Sequence, residues 1–172
     1  MRFTCERLDG RHRCDAFDSG RPELDRWLHA SALGSDGRNI TRTYVWHAGD
    51  DVVVGYYALM PFTLDRDRLS RKQARGLPDR IPGYLIARLA LDAGLHGAGL
   101  GTQLLSSALA RVAVGGQTLG GRFVVVDAID EAAASFYVHH GFEPVPDISG
   151  RLVLATKGLE RVVPSSRPPD GP

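Results

Sequence analysis

Three glycines at alternate positions, Gly97, Gly99 and Gly101, stand between a continuous apolar run and a segment of helical periodicity. Backbone N–H groups of such a loop can converge on one anion, and a helix starting near Thr102 adds partial positive charge at the same point. That is the chemistry of a phosphate cradle. It is not the dinucleotide fingerprint GxGxxG, because Thr102 stands three places after Gly99, and no GxxxxGK[ST] occurs. A tight strand-to-helix turn without a ligand is the alternative reading. A second cluster is basic: residues 66–80 hold Arg66, Arg68, Arg71, Lys72, Arg75 and Arg80 against Asp67 and Asp79, and Arg38 and Arg42 lie upstream. Such bunching suits phosphates of a nucleic acid. A solvated face with intrahelical pairs, such as Asp67 with Arg71, fits it equally.

These groups need elements to hold them. The run Tyr84-Leu85-Ile86-Ala87-Arg88-Leu89-Ala90-Leu91-Asp92 is apolar but for Arg88 and Asp92, and suits a central strand covered on both faces. Beyond the glycines, Leu104, Leu105, Ala108, Leu109 and Val112 share a helical face, with Gly115-Gly116 as the stop. Residues 122–128 read as another buried strand. Residues 130–140 read as a helix with Asp130 as cap and Gly141 as terminator. Upstream, residues 2–8 alternate as a strand does. Asp18 and Ser19 are cap candidates before Pro22 and the periodic set Leu24, Trp27, Leu28 and Ser31. This predicts a helix of about twelve residues ending before Gly34, then a loop over 35–42. Residues 43–47 and 52–59 form a hairpin around a polar turn, and residues 151–156 a last strand.

The chain has 172 residues, 43% hydrophobic, with 21 Lys/Arg against 20 Asp/Glu. That size supports a core without metal or disulfide. A formal charge of +1 makes any nucleic-acid contact a local patch. No window is long and apolar enough for a membrane span or a signal peptide, so a cytoplasmic protein is expected, with Cys5 and Cys14 reduced and no metal site. Asp92 and Asp127, at strand ends, and His139 and His140, at a helix end, are read as structural or surface residues. One domain over residues 1–163 is expected, followed by a disordered, proline-rich tail over 164–172.

The strand ending at Asp92, the loop from His96 to Gly101 and the later Phe136-Tyr137-x-x-x-Gly141-Phe142 together resemble the GNAT acetyltransferase family. The resemblance implies an α/β fold: a mixed, twisted β-sheet, flanked by helices, whose two central parallel strands splay apart to admit acetyl-CoA. It implies that the loop pattern Gln/Arg-x-x-Gly-x-Gly/Ala, here His96, Gly99 and Gly101, holds the pyrophosphate. Gly97, Ala98, Leu100 and Thr102 complete the loop, and His96 departs from the usual Gln/Arg while still able to donate a hydrogen bond. Backbone groups of Leu89, Ala90 and Leu91 would pair with the pantetheine arm as an added strand. Tyr137 matches the family's general acid, since a phenol stays protonated at neutral pH and can donate to a thiolate.

Further segments extend the likeness: Phe17-Asp18-Ser19-Gly20-x-x-Glu23-Leu24, Thr41-Arg42-Thr43-Tyr44-Val45 and Gly55-Tyr56-Tyr57-Ala58-Leu59. They resemble the GNAT toxins of toxin–antitoxin systems, which acetylate the amino group of aminoacyl-tRNA. That resemblance implies a tRNA substrate, and by their charge Arg38, Arg42, Arg71, Lys72, Arg75 and Arg80 are the residues available to hold it. Tyr44, Trp46 and Tyr84 are candidates to stack on the terminal adenine. It also implies a ribbon-helix-helix antitoxin partner and a homodimer. A GNAT enzyme for small amines or protein N-termini, and an acetyl-CoA-binding module without turnover, remain the alternatives.

Overall fold

The computed structural model describes residues 2–159, so the tail expectation lies outside the described residues. The strands are β1 (Thr4–Arg7), β2 (Arg42–His47), β3 (Gly55–Asp65), β4 (Arg80–Leu91), β5 (Phe123–Asp127), β6 (Glu143–Pro144) and β7 (Arg151–Ala155). The helices are α1 (Pro22–Ala30), α2 (Ala32–Gly37), α3 (Arg71–Ala74), α4 (Leu100–Leu119) and α5 (Glu131–His139). The seven strands form one mixed sheet of order β1-β2-β3-β4-β5-β7-β6. Among the described strands only β4 and β5 pair in parallel, and their ladder is short, from Gly83↔Phe123 to Ile86↔Val126. Gly83 is required there, since a Cβ would stand 2.6 Å from the Phe123 carbonyl oxygen.

Each face of the sheet is covered. Leu104, Leu105, Ala108, Leu109 and Val112 of α4 pack with Tyr57, Ile86, Val124 and Val126, and Tyr137 and Phe142 join the same cluster. On the opposite face, Leu28 and Ala32 pack against Val45, Tyr56 and Ala90. Farther along that face, Leu69 and Ala74 pack with Leu64, Ile81 and Val125.

Local expectations fail where burial outweighs a stop signal. The first helix does end before Gly34, but after nine residues with a break at Ser31 (φ −125°), and the expected loop over 35–42 begins as part of α2, because Ala32, Ser35 and Asp36 are buried. Left-handed Asn39 (φ 62°) ends α2, with Ile40 N–H donating to Ser35 O at 3.0 Å. Ser19 is no cap, since its N–H and hydroxyl both donate to Asp25 Oδ1, at 3.0 and 2.6 Å. Likewise α4 passes through Gly115-Gly116 and stops at Gly120 (φ 78°). Val52 bridges to Arg13 rather than opening β3, and β3 runs on through Pro61, past the last β2 pair at Leu59, to Asp65. A strand has a free edge there, where proline is tolerated. In α5 the expected cap is present, Asp130 Oδ1 accepting from Ala133 N–H at 2.8 Å.

Candidate active site

The ladder between β3 and β4 slips at one point: Leu59 faces Ile86, but Ala58 faces Arg88, leaving Ala87 as a bulged residue. The β4–β5 ladder ends at the same level, so β4 continues to Leu91 with no partner on its β5 side. Asp92 N–H donates to Val54 O at 2.8 Å, toward β3. Strand alternation then turns the N–H and C=O of Leu89 and Leu91 the other way, into the gap. An open strand edge inside a protein is a docking edge for an extended chain.

That edge walls a cleft of about 490 Å³, lined also by His96, Gly97, Gly99, Gly101 and Thr102. Gly97 (φ 82°) and Gly99 (φ 74°) are left-handed, and a Cβ on either would meet nothing within 4 Å. The requirement is conformational rather than spatial. Gly99 is the N-cap of the 20-residue α4, whose first-turn N–H groups have no partner within the helix. Ala98 and Leu100, expected in this site, do not line the cleft: Ala98 is exposed and Leu100 packs against the core. His96 also differs from expectation. Its Nε2–H donates to the Leu91 carbonyl at 2.8 Å, so this donor and this acceptor close the loop rather than face a ligand. Thr102 donates its hydroxyl to His140 Nε2 at 3.0 Å, while His140 Nδ1–H donates to Phe136 O at 2.7 Å. Thr102 therefore offers the cleft its backbone N–H.

Several lining residues were not among the expected site residues: Arg21 and Leu24 of the α1 segment, and Ile129, Ala133 and Phe136 around α5. Arg21 and Asp130 form an ion pair between these two walls. Asp130 thus serves both the α5 cap and this bridge, and the Ala133 N–H and the Arg21 guanidinium hold its carboxyl below the usual range. Tyr137 follows Phe136 and packs edge-on against Phe136 and Phe142, with centroids 5.3 Å away in each case. Burial pushes its phenol up to about 12. Among the described residues its hydroxyl has no hydrogen-bond partner. Tyr137 is buried, and it is its neighbour Phe136, not Tyr137, that lines the cleft.

The basic residues do not form one patch. Arg66, Arg68, Arg71, Arg75 and Arg80 surround a hollow of about 870 Å³ at the far end of β4, interleaved with Asp65, Asp67 and Asp79. Lys72 points instead to Glu143, at 3.5 Å. Arg38 follows α2, and Arg42 donates to the Asp36 and Thr41 carbonyls at 3.2 Å, well away from the hollow. Among the described residues no Asp67–Arg71 pair forms, because Ser70 opens a new helix with a Gln73 capping box and breaks the helical spacing.

The expected stacking aromatics are all committed to packing. Tyr44 stacks on Tyr57 at 5.4 Å under the Arg111 guanidinium, Trp46 stacks on Phe3 at 5.3 Å, and Tyr84 donates to the Gly120 carbonyl. Asp92 Oδ1 accepts from Gly94 N–H at 3.0 Å, and Asp127 binds Arg151 at 2.8 and 2.9 Å, so both are structural.

One group among the described residues has metal-ligand geometry: Glu6, His12, His47 and Asp51. His12 Nδ1 accepts from Asp9 N–H, and His47 Nδ1 from Gly49 and Asp51 N–H. That assigns the proton to Nε2 of each ring, where both donate to Glu6 Oε1, at 3.2 and 2.7 Å. Hydrogen bonding from Arg11, with help from the histidines, holds the Glu6 carboxyl down at about 2. Arginine occupies the cation position, and the cluster ties β1 to β2.

Residues 40–144 match the acetyltransferase (GNAT) domain family. The chain is 34% identical over 148 residues to a tRNA-acetylating toxin of Mycobacterium tuberculosis, covering 86% of this chain and 89% of that one. Among solved structures it resembles AtaT complexed with acetyl-methionyl-tRNAfMet (TM-score 0.86, 28% identity, 94% of this chain and 99% of that chain). It also resembles a tyrosine-to-phenylalanine mutant of the AtaT toxin bound to the C-terminus of the antitoxin AtaR and acetyl-CoA (TM-score 0.81, 28% identity, 94% and 98%). With a splayed parallel strand pair, a glycine loop and a helix N-terminus converging on one cleft, the chain belongs to the GNAT acetyltransferase family.

Proposed function

We propose that this chain is a toxin that transfers the acetyl group of acetyl-CoA to the α-amine of aminoacyl-tRNA and so blocks translation. The observation that carries it is the unpaired β4 edge running straight into the glycine loop. Together they match an extended amide-bearing arm that ends in a diphosphate. Likeness to the tRNA-acetylating toxin over most of the chain supports the choice of acceptor.

The amine lone pair attacks the thioester carbonyl, giving a tetrahedral oxyanion. The bulge at Ala87 falls where the β4–β5 ladder ends, and unpaired backbone N–H groups of β4 beyond it are the donors available to that oxygen. Collapse breaks the C–S bond, and the departing thiolate takes the proton of the Tyr137 hydroxyl. The ammonium proton leaves to solvent, and solvent reprotonates the phenolate. Leu89 and Leu91 N–H hold the arm, and the first-turn N–H groups of α4 with Gly97 and Gly99 hold the diphosphate. The Arg66 to Arg80 hollow meets tRNA phosphates. A ribbon-helix-helix antitoxin, a homodimer and a cytoplasmic setting complete the reading. Among the described residues no helix is long and apolar enough to cross a membrane.

Inducible expression of wild type and Tyr137→Phe in a bacterial host tests it. Growth arrest by the wild type alone, with N-acetylated aminoacyl groups on extracted tRNA, is expected. Unmodified aminoacyl-tRNA under wild-type expression overturns it.

A further inference from the structure

Tyr137 and Arg88 stand on opposite faces of the sheet. Tyr137 belongs to the cluster containing Ile86 and Val126, the last parallel pair. Arg88 sits one residue past the bulge, facing the α1 side with Ala90 and Tyr56. The α4 and α5 face carries Tyr137, the acid for the thiol, and the α1 face carries Arg88 and Trp27.

The Arg88 guanidinium lies over the Trp27 ring, 5.4 Å from its centroid, and Trp27 stacks on Tyr56 at 6.0 Å with 11° between planes. Tyr56 in turn donates its hydroxyl to Leu24 O at 2.8 Å, which ties the aromatic pair to α1. Arg88 is half-buried, and its one hydrogen bond among the described residues is to its neighbour's carbonyl, Ala87 O, at 2.6 Å. No carboxylate pairs with it among the described residues. Asp25, the acid on the inner side of α1, is taken by Ser19. A half-desolvated cation with spare donors, backed by an aromatic column, is a costly arrangement without a ligand and a good surface for a nucleobase.

Resting on the aminoacyl-tRNA reading above, we propose that Arg88, held against Trp27, is the platform on which the 3′-terminal adenine of the acceptor stacks, setting specificity for a nucleotide-linked amine. Tyr44, Trp46 and Tyr84 cannot take this role, being packed elsewhere.

The test compares wild type, Arg88→Gln and Arg88→Lys on three acceptors. These are a total aminoacyl-tRNA pool, the aminoacyl-adenosine released from it by ribonuclease A, and a mixture of amino-acid methyl esters. Acetyl-CoA affinity by calorimetry and melting temperature are measured alongside. Stacking on one base predicts a loss of about tenfold or more in kcat/KM. Both variants should show it on tRNA and on aminoacyl-adenosine, with the esters, acetyl-CoA affinity and melting unchanged. A platform used only as charge for phosphate would be restored by lysine and would not act on aminoacyl-adenosine, which carries no phosphate; either result overturns the proposal. Equal loss on the esters overturns it too, since Arg88 would then serve the chemistry. A wild type that acetylates nothing in the tRNA pool overturns the substrate reading and this inference together, whereas failure of the variants alone to discriminate overturns only the inference.

Discussion

The two ends of β4, roughly 35 Å apart by strand rise, face their ligands by different means. At the Leu91 end the wall is backbone: an unpaired strand edge, left-handed glycines and the start of α4, with Arg21 and Asp130 as the ionised side chains already paired to each other. At the Arg80 end five arginines and three aspartates surround an open hollow, and the Arg66–Asp79 pair is loose, at 3.9 Å. Backbone donors are fixed by the fold and gain nothing from dilute salt. Exposed side-chain charges are screened within about 10 Å at 0.1 M and move freely. The first end can therefore position reacting atoms, while the second can supply attraction and orientation.

The largest effect expected from this contrast is at Tyr137. Tyr137→Phe keeps the ring among Phe136 and Phe142 and removes only the acid, so kcat should fall on the order of a hundredfold while acetyl-CoA affinity by calorimetry holds. Equal turnover would move the chemistry away from the α5 face. Next comes Gly99→Val. A β-branched residue at φ 74° strains the α4 N-cap by about 1–2 kcal/mol. Acetyl-CoA affinity should weaken by about tenfold with little change in tRNA affinity measured by filter binding. A loss on tRNA instead would mean that the two ends are not separate.

Legibility follows the same division. The glycine loop, the Asp130 cap and the apolar runs of β4 and β5 are local signals, because backbone conformation is decided within a few residues. The strand edge at Leu89 and Leu91 was readable only through family resemblance. The bulge at Ala87 was not readable at all, since it depends on how β3 and β4 slip past each other. Nor was the fate of His96, Thr102 or the aromatics, whose partners come from 5 to 67 positions away, as with Leu91 for His96 and Arg111 for Tyr44. Charge runs were the least informative. Arg42 and Lys72 look alike in sequence to Arg71 and Arg75, yet the first is held by carbonyls and the second reaches Glu143.

Smaller effects belong to the basic end. Arg71→Ala or Arg75→Ala should each weaken tRNA binding several-fold and lower the slope of log affinity against log salt by about 1. Lys72→Ala should do less, because Lys72 is turned toward β6. Raising salt from about 50 to 200 mM should weaken tRNA far more than acetyl-CoA. Equal sensitivity would show that charge, not backbone geometry, governs the glycine loop.

The smallest expected change is a flat line, and it tests the Leu91 end alone. Burial raises the Tyr137 phenol to about 12, so the acid keeps its proton as pH rises from 7 to 10 and contributes no alkaline fall. The acceptor must be a neutral amine, so the sign on the acid side is opposite: kcat/KM rises with pH through the acceptor's own ionisation and then levels. In a stopped assay following thiol release, wild type should climb and hold a plateau to pH 10, and Arg88→Gln should follow the same profile at a lower height. A fall between pH 8 and 10 would place a lower-titrating acid than Tyr137 at the leaving thiolate, and the α5 face would then lose its assigned role.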